Sequence, residues 1–402
     1  MKSLASQYKR DHASATHAAG DAPVEIRLCE DLGTMDAAMW NALAGEHPFL
    51  RHEFLDALHD TGCAAPDTGW TAQYLTAWRR EALVGALPLY VKTHSYGEYV
   101  FDWAWADAYE RCGLHYYPKL LSAVPFSPVT GPRLLGEDEE ARAALRRTAL
   151  QLAQQLSSLH VLFPDVREAE GWRDAGCLLR RGVQFHWRNE AYASFDQFLG
   201  TLNRAKRKNI RQERRRVAEA GVRFKRKTGR EISEADWRFF TRCYDNTYRE
   251  HYSTPYLSFD FFVRLGETLP DNVLLVIAER EDRPIAAALD LYTPQTLWGR
   301  YWGALESVPG LHFETCYYQA LEFCIERGIA LFEGGAQGEH KLARGFMPVK
   351  TWSAHWLKHP QFADAVARYL EREAVGVGGY IDELNERTPF KGSGESTVKS
   401  RE

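Results

Sequence analysis

The stretch 297–346, LWGRYWGALESVPGLHFETCYYQALEFCIERGIALFEGGAQGEHKLARGF, decides the fold. Its opening residues, 297–303, are an aromatic-rich run long enough for one strand. A break at Pro309-Gly310 follows, then helix-compatible residues 313–327, in which Phe313, Tyr317, Leu321, Cys324 and Ile325 recur at helical spacing. Gly328 stops that helix where a left-handed cap is wanted. Residues 329–333 read as a second short strand, and Gly334-Gly335 release the chain into AQGEHKLARGF. The unit is strand–helix–strand, closing in a loop that carries Glu339, His340, Lys341 and Arg344. Ligands gather at the carboxyl ends of strands in open α/β sheets, so a site is expected at this loop.

Outward from that unit, 273–279 and 283–292 read as a hairpin, and 222–227 as a strand released by Gly221. Helices are expected at 196–219, 234–248 and 259–267, with Ser194 capping the first. In the first half, strands at 24–28, 158–163 and 183–188 and a hairpin at 74–78 and 83–91 alternate with helices at 35–43, 51–61 and 138–156. The halves repeat: 75–104, LTAWRREALVGALPLYVKTHSYGEYVFDWA, lies over 274–304, LLVIAEREDRPIAAALDLYTPQTLWGRYWGA. Each is a strand, a charged turn, a strand ending in Leu-Tyr and an aromatic strand, with a helix and a further strand downstream. Duplication implies an α/β (α+β) chain of two tandem domains, each a mixed, mostly antiparallel sheet flanked by helices. Their expected bounds are 24–190 and 191–357, with a polar tail at 1–23 and a closing helix and Gly/Ser-rich end over 358–402.

At 402 residues and 45% hydrophobic content the chain can bury two cores. No apolar run reaches the roughly 18–20 residues a membrane span needs. The opening MKSLASQYKRDHASATHAAGD lacks the apolar centre of a secretory signal, so a cytoplasmic location is expected. Seven cysteines without a CxxC pair read as reduced thiols. The sequence shows no metal-ligand spacing, Walker loop or nucleophile elbow, and no metal is expected. The net charge of −4 hides an asymmetry: residues 204–230 hold thirteen Lys/Arg against Glu213 and Glu219, a net +11 that leaves −15 elsewhere. Such a concentration suits phosphate-rich partners.

A hairpin continuing into a third strand and then strand–helix–strand is similar to the GNAT N-acyltransferase fold, and a tandem pair resembles the FemABX aminoacyltransferases. The closing segment YWGALESVPGLHFETCYYQALEFCIERGIALFEGGAQGEHKLARGF and the basic stretch KRKNIRQERRRVAEAGVRF at 206–224 carry that resemblance. With HSYGEYVFDWAWADAYERCGLHYYPKLL and SPVTGPR, residues 47–357 resemble the FemAB-like N-acyltransferases of peptidoglycan biosynthesis or recognition. The resemblance implies acyl transfer to an amine of a phosphorylated or lipid-linked envelope precursor. The donor it implies is an aminoacyl-tRNA or an acyl-CoA, with no tightly bound cofactor. Acetyl-CoA enzymes present a glycine-rich pyrophosphate loop before the helix that follows the fourth strand. Here 305–314 has only Gly310, with Glu306 and Glu314 as added negative charge. That departure favours tRNA. The alternatives are an acyl-CoA enzyme acting on a small amine, or a precursor- or RNA-binding module without catalysis.

Acyl transfer to an amine needs a proton acceptor, donors for the carbonyl oxygen and a competent leaving group. Glu339 and His340 are candidates for the first, and Lys341 and Arg344 for the second. His312 and Glu314, before the central helix, are candidate acceptor contacts. So are Asp102, Tyr117, Lys119 and Arg133 in the polar, aromatic segment of the first half, the last two as phosphate ligands. Arg207 and Arg211, four apart on the basic helix, are the candidate ligands for donor or acceptor phosphates.

Overall fold

The computed structural model describes residues 22–335 and 338–391. The expected tail through residue 21 and the polar end from residue 392 lie outside the described residues, as do Ala336 and Gln337 of the closing loop. Fourteen strands form two sheets among the described residues. Those of the first half are β1 Glu25–Cys29, β2 Trp70–Ala72, β3 Tyr74–Arg79, β4 Ala82–Leu87, β5 Tyr90–Lys92, β6 Lys119–Ser122, β7 Ser158–Leu162 and β8 Leu178–Arg188. The remainder are β9 Val222–Thr228, β10 Val273–Arg280, β11 Arg283–Tyr292, β12 Thr296–Ala304, β13 Leu331–Glu333 and β14 Met347–Leu357. A three-stranded sheet runs β1-β3-β4, and an eleven-stranded sheet runs β2-β5-β6-β7-β14-β8-β13-β12-β11-β10-β9.

The second half follows its sequence closely. Strands β9 to β12 make an antiparallel meander, with positive φ at Glu281 and Asp282 in the two-residue hairpin turn between β10 and β11. The crossover helix spans Leu311–Phe313 and Gln319–Arg327, joined by a π turn at Glu314–Tyr318, and ends at Gly328 with φ 68°. β13 then pairs parallel with β12, but only through Thr296–Trp298. Beyond Trp298, β12 runs on beside β11 alone to Ala304, so the sheet splits open there. Gly303 lets β12 lie flat on the helix Glu234–Glu250, since a Cβ would stand 2.0 Å from the Cys243 carbonyl oxygen.

The halves share one sheet. β14, from the end of the chain, inserts between β7 and β8, and β8 pairs on its other edge with β13. One apolar core also runs across both halves, through Trp40, Phe49 and Phe54 on one side and Phe240, Phe261 and Phe262 on the other. Phe54 and Phe261 meet edge to face at 5.6 Å.

Two sequence expectations are corrected. The third, aromatic strand expected at the end of the first repeat does not form; after β5 the chain loops and enters a helix, Trp103–Arg111. Its aromatic residues alternate poorly with polar ones, and Trp105 and Tyr109 fall on one buried helical face. The helix expected over 196–219 is two helices, Phe195–Thr201 and Arg204–Glu219, because Asn203 turns out of the first and caps the second through Lys206 N–H at 3.0 Å. The closing helix extends over Pro360–Glu386, anchored on β8 by Arg180–Glu373 at 2.8 Å.

Candidate active site between the halves

Where β12 parts from β13, a cavity of about 620 Å³ opens between the halves. Tyr99, Phe101 and Pro128 close it from the first half. The second half supplies Tyr244 and Tyr248 from the helix Glu234–Glu250, Asp290 from β11, and Arg300, Tyr301 and Trp302 from β12. His312, Cys316 and Tyr317 come from the crossover helix, and Gly334, Gly335, His340 and Lys341 from the end of β13 and the loop after it. The π turn puts Cys316 and Tyr317 on the cavity wall, a common use of such turns. The loop folds as a 3-10 turn, Glu339–Arg344, ended by Gly345 at φ 89°.

Two cations stand in this aromatic hollow. Lys341 is 5% exposed, and burial, with Arg300 nearby, lowers its ammonium to about 8. Arg300 donates to the Phe126 carbonyl oxygen at 2.8 Å, and Tyr301 Oη donates to the same oxygen at 3.0 Å, tying the cavity wall to the first half. Thr130 closes the seam further by donating to Glu333 at 2.7 Å. Burial lowers His312 to about 4, so its ring is neutral near pH 7. His340 is also lowered, by burial and then by Arg344 and Lys341, and its Nε2 lies 3.2 Å from Tyr317 Oη. Among the described residues no cluster of three or more His, Cys, Asp or Glu is placed to hold a metal, and all seven cysteines are free thiols.

The structure brings together His312, His340 and Lys341 and sends the other sequence candidates elsewhere. Arg344 is buried behind the cavity, donating to Glu213 at 2.8 Å and to Tyr318 Oη at 2.9 Å, with its guanidinium 3.4 Å over the Phe313 ring. Its role is to hold the basic helix to the crossover helix. Glu339, expected as a proton acceptor, faces outward and pairs with Arg387 at 3.3 Å and Tyr380 at 3.2 Å. Glu314, expected as an acceptor contact, is committed to Arg214 at 3.0 Å and to Gln319 at 2.8 Å. Lys119 is 0% exposed and donates to Glu98 at 2.8 Å, to Ser95 at 2.7 Å and to Asp102. Asp102 also accepts from Tyr116 at 2.7 Å, and Tyr117 Oη lies 2.9 Å from Ser95 Oγ. The expected groove is therefore an internal ion-pair network. Arg133, 0% exposed, donates to the carbonyl oxygens of Val129, Gly131, Pro132 and Leu162, which removes it as a phosphate ligand. Arg207 and Arg211 do share a shallow external hollow with Arg204, Lys208 and Arg215. Arg211 also pairs there with Asp196 at 3.1 Å.

Sequence reasoning missed Asp290, Arg300 and the tyrosines that line the hollow. A signal for the first was present, since Asp290 interrupts the apolar strand AAALDLY.

An antiparallel meander, a crossover helix and a split between the fourth and fifth strands in the second half, beside a first half of helix-flanked sheet, define a tandem GNAT-like fold. The chain belongs to the FemAB-like family of peptidoglycan biosynthesis or recognition, whose family model matches residues 31–392. Among solved structures, FemX is similar with a TM-score of 0.52 at 10% identity, covering 84% of this chain and 98% of that one. The C-terminal domain of a putative lysylphosphatidylglycerol synthetase from Agrobacterium fabrum is similar with a TM-score of 0.50 at 9% identity, covering 84% and 95%. No curated protein sequence matches the chain significantly. Among the described residues no helix is long and apolar enough to cross a membrane.

Proposed function

We propose that this chain is a cytoplasmic N-acyltransferase that moves an aminoacyl group from tRNA onto an amine of a phosphorylated or lipid-linked cell-envelope precursor. The observation that carries the proposal is a hollow between the halves with the buried Lys341 and the half-buried Arg300 in its wall. A desolvated ammonium beside a reacting carbonyl stabilises the oxyanion far more than it would in water, and removing such a donor costs about 10²–10³-fold in rate. The hollow, about 620 Å³, suits the amine-bearing end of an acceptor and the acyl group, while the rest of both substrates lies outside.

Two features support tRNA as the donor. The loop before the crossover helix is filled from behind: Gly310 sits 3.4 Å, measured from a Cβ built on it, from the Glu213 carbonyl oxygen, and Val308 and Leu311 pack on Val217. Its carboxylates are spent on protein partners, Glu306 on Arg280 and Glu314 on Arg214. A pyrophosphate cradle for CoA has little room there. The outer face of the basic helix, in contrast, carries Arg204, Arg207, Lys208, Arg211 and Arg215 around one hollow, a footprint suited to a phosphate backbone. The family description supports an envelope precursor as acceptor.

The test supplies labelled aminoacyl-tRNA or labelled acetyl-CoA together with a UDP-linked muramyl peptide. Label should pass from tRNA into an acid-stable amide, and Lys341→Met should slow that transfer by at least about 10²-fold. Label arriving from acetyl-CoA alone would select the CoA-dependent reading. Tight, salt-sensitive RNA binding with no product would select a binding module.

A further inference from the structure

Among the described residues that line the hollow, Asp290 is the only carboxylate. It is 2% exposed, and its Oδ2 has no hydrogen-bond partner among them. A buried carboxyl group left this way is costly unless a ligand satisfies it. Burial alone holds it well above the usual carboxylate range, with no basic side chain offsetting it. Two backbone irregularities converge on the same wall. β12 carries a bulge opposite Leu289 and Asp290, with Arg300 as the extra residue, a device that re-aims a side chain beside Asp290. The crossover helix opens into its π turn beside it, at Cys316 and Tyr317. Gly299, paired with Asp290 across β12, keeps the neighbourhood clear, since a Cβ there would press Phe332 at 3.0 Å and stand 3.6 Å from Asp290 Oδ1.

We propose that Asp290 seats the ammonium group of the acceptor and takes its proton, so that the hollow selects acceptors bearing a primary amine. This rests on the acyl-transfer reading and names its nucleophile. Lys341 and Arg300 repel an ammonium from their part of the wall, which leaves Asp290 as its seat. The rings of Tyr244, Tyr248, Tyr301 and Trp302 line the same space, and aromatic faces hold cations. In a desolvated pair the carboxyl is made more basic and the ammonium more acidic, so one proton passes from nitrogen to Asp290 at little cost. The freed lone pair forms the N–C bond to the acyl carbon of the ester or thioester donor. The bond from that carbon to the donor oxygen or sulfur breaks, and its electron pair leaves with the donor. The second amine proton goes to that leaving group, and the proton on Asp290 returns to solvent before the next turnover.

The test needs no turnover. Calorimetric titration of the full chain with pentylammonium chloride and with 1-pentanol compares a primary ammonium with its neutral isostere. The wild type should bind the ammonium at least about tenfold more tightly. Asp290→Asn should lose that preference while keeping its affinity for pentanol, and Asp290→Ser gives the same reading should the Asn variant not fold. No ammonium preference in the wild type, or one that survives in Asp290→Asn, overturns the proposal. An ammonium preference lost with Asp290 in a protein that transfers no acyl group upholds this site and removes the acyltransferase reading. Transfer without the preference does the reverse.

Discussion

Lys341 shows how burial and chemistry trade at a single residue. Its ammonium titrates at about 8 in the fold against 10.5 in the open chain, so the fold disfavours the charged form. That penalty is full below about pH 8 and fades between about 8 and 10.5, as first the folded and then the unfolded side chain loses its proton. Lys341→Met should therefore raise the melting temperature at pH 7, checked by a thermal melt, while slowing transfer about 10²-fold or more. If the charged amine is the working form, transfer should fall as pH rises through about 8, which a rate profile with a non-titrating donor checks. His340 and Lys341 were legible in the sequence because they cluster after Gly334-Gly335, a strand end. Lys119 and Arg133 misled because a cation wrapped in its own carbonyls or carboxylates reads the same in sequence as one facing a ligand. Arg300 was hidden inside an aromatic strand that read simply as core, whereas Asp290 left a trace as the one charge in AAALDLY.

The basic helix Arg204–Glu219 is held to the crossover helix and the closing turn by two crossed pairs, Glu213 with Arg344 and Arg214 with Glu314. Truncating one member of a buried pair strands the other, at roughly 3–5 kcal/mol for full burial. Arg344→Ala should lie towards the lower end, because Glu213 keeps some exposure to water. Denaturant unfolding of Arg344→Ala, Glu213→Gln and the double variant should show a coupling above about 0.5 kcal/mol. Backbone amides of the basic helix should exchange faster in each single variant. The strand–helix–strand unit was readable because its Pro-Gly break, helical spacing and Gly328 stop all agree. The π turn was not, since five residues at Glu314–Tyr318 fit either helical period. The break at Asn203 was missed for a similar reason: a cap inside a run of helix-compatible residues leaves no gap in the pattern.

At the scale of the molecule, the halves are knit rather than strung together: β14 threads between β7 and β8, and one cavity draws its wall from both. Hairpin, helix and strand order revealed the duplication, but strand exchange between halves leaves no trace in local pattern, which is why 24–190 and 191–357 look separable on paper. The external cationic hollow predicts salt-dependent RNA binding. Arg207→Ala and Arg211→Ala should each flatten the dependence of log K on log salt by up to about one unit, read from titrations of labelled tRNA. The most direct measurement compares, by mass spectrometry, envelope precursors and amine metabolites of the source cells carrying the wild-type gene, a deletion, or the Lys341→Met allele. The same acylated amine should vanish in the deletion and in Lys341→Met, with its free amine accumulating in both. Full acylation in the Lys341→Met strain, with normal protein levels, would contradict acyl transfer in the hollow between the halves.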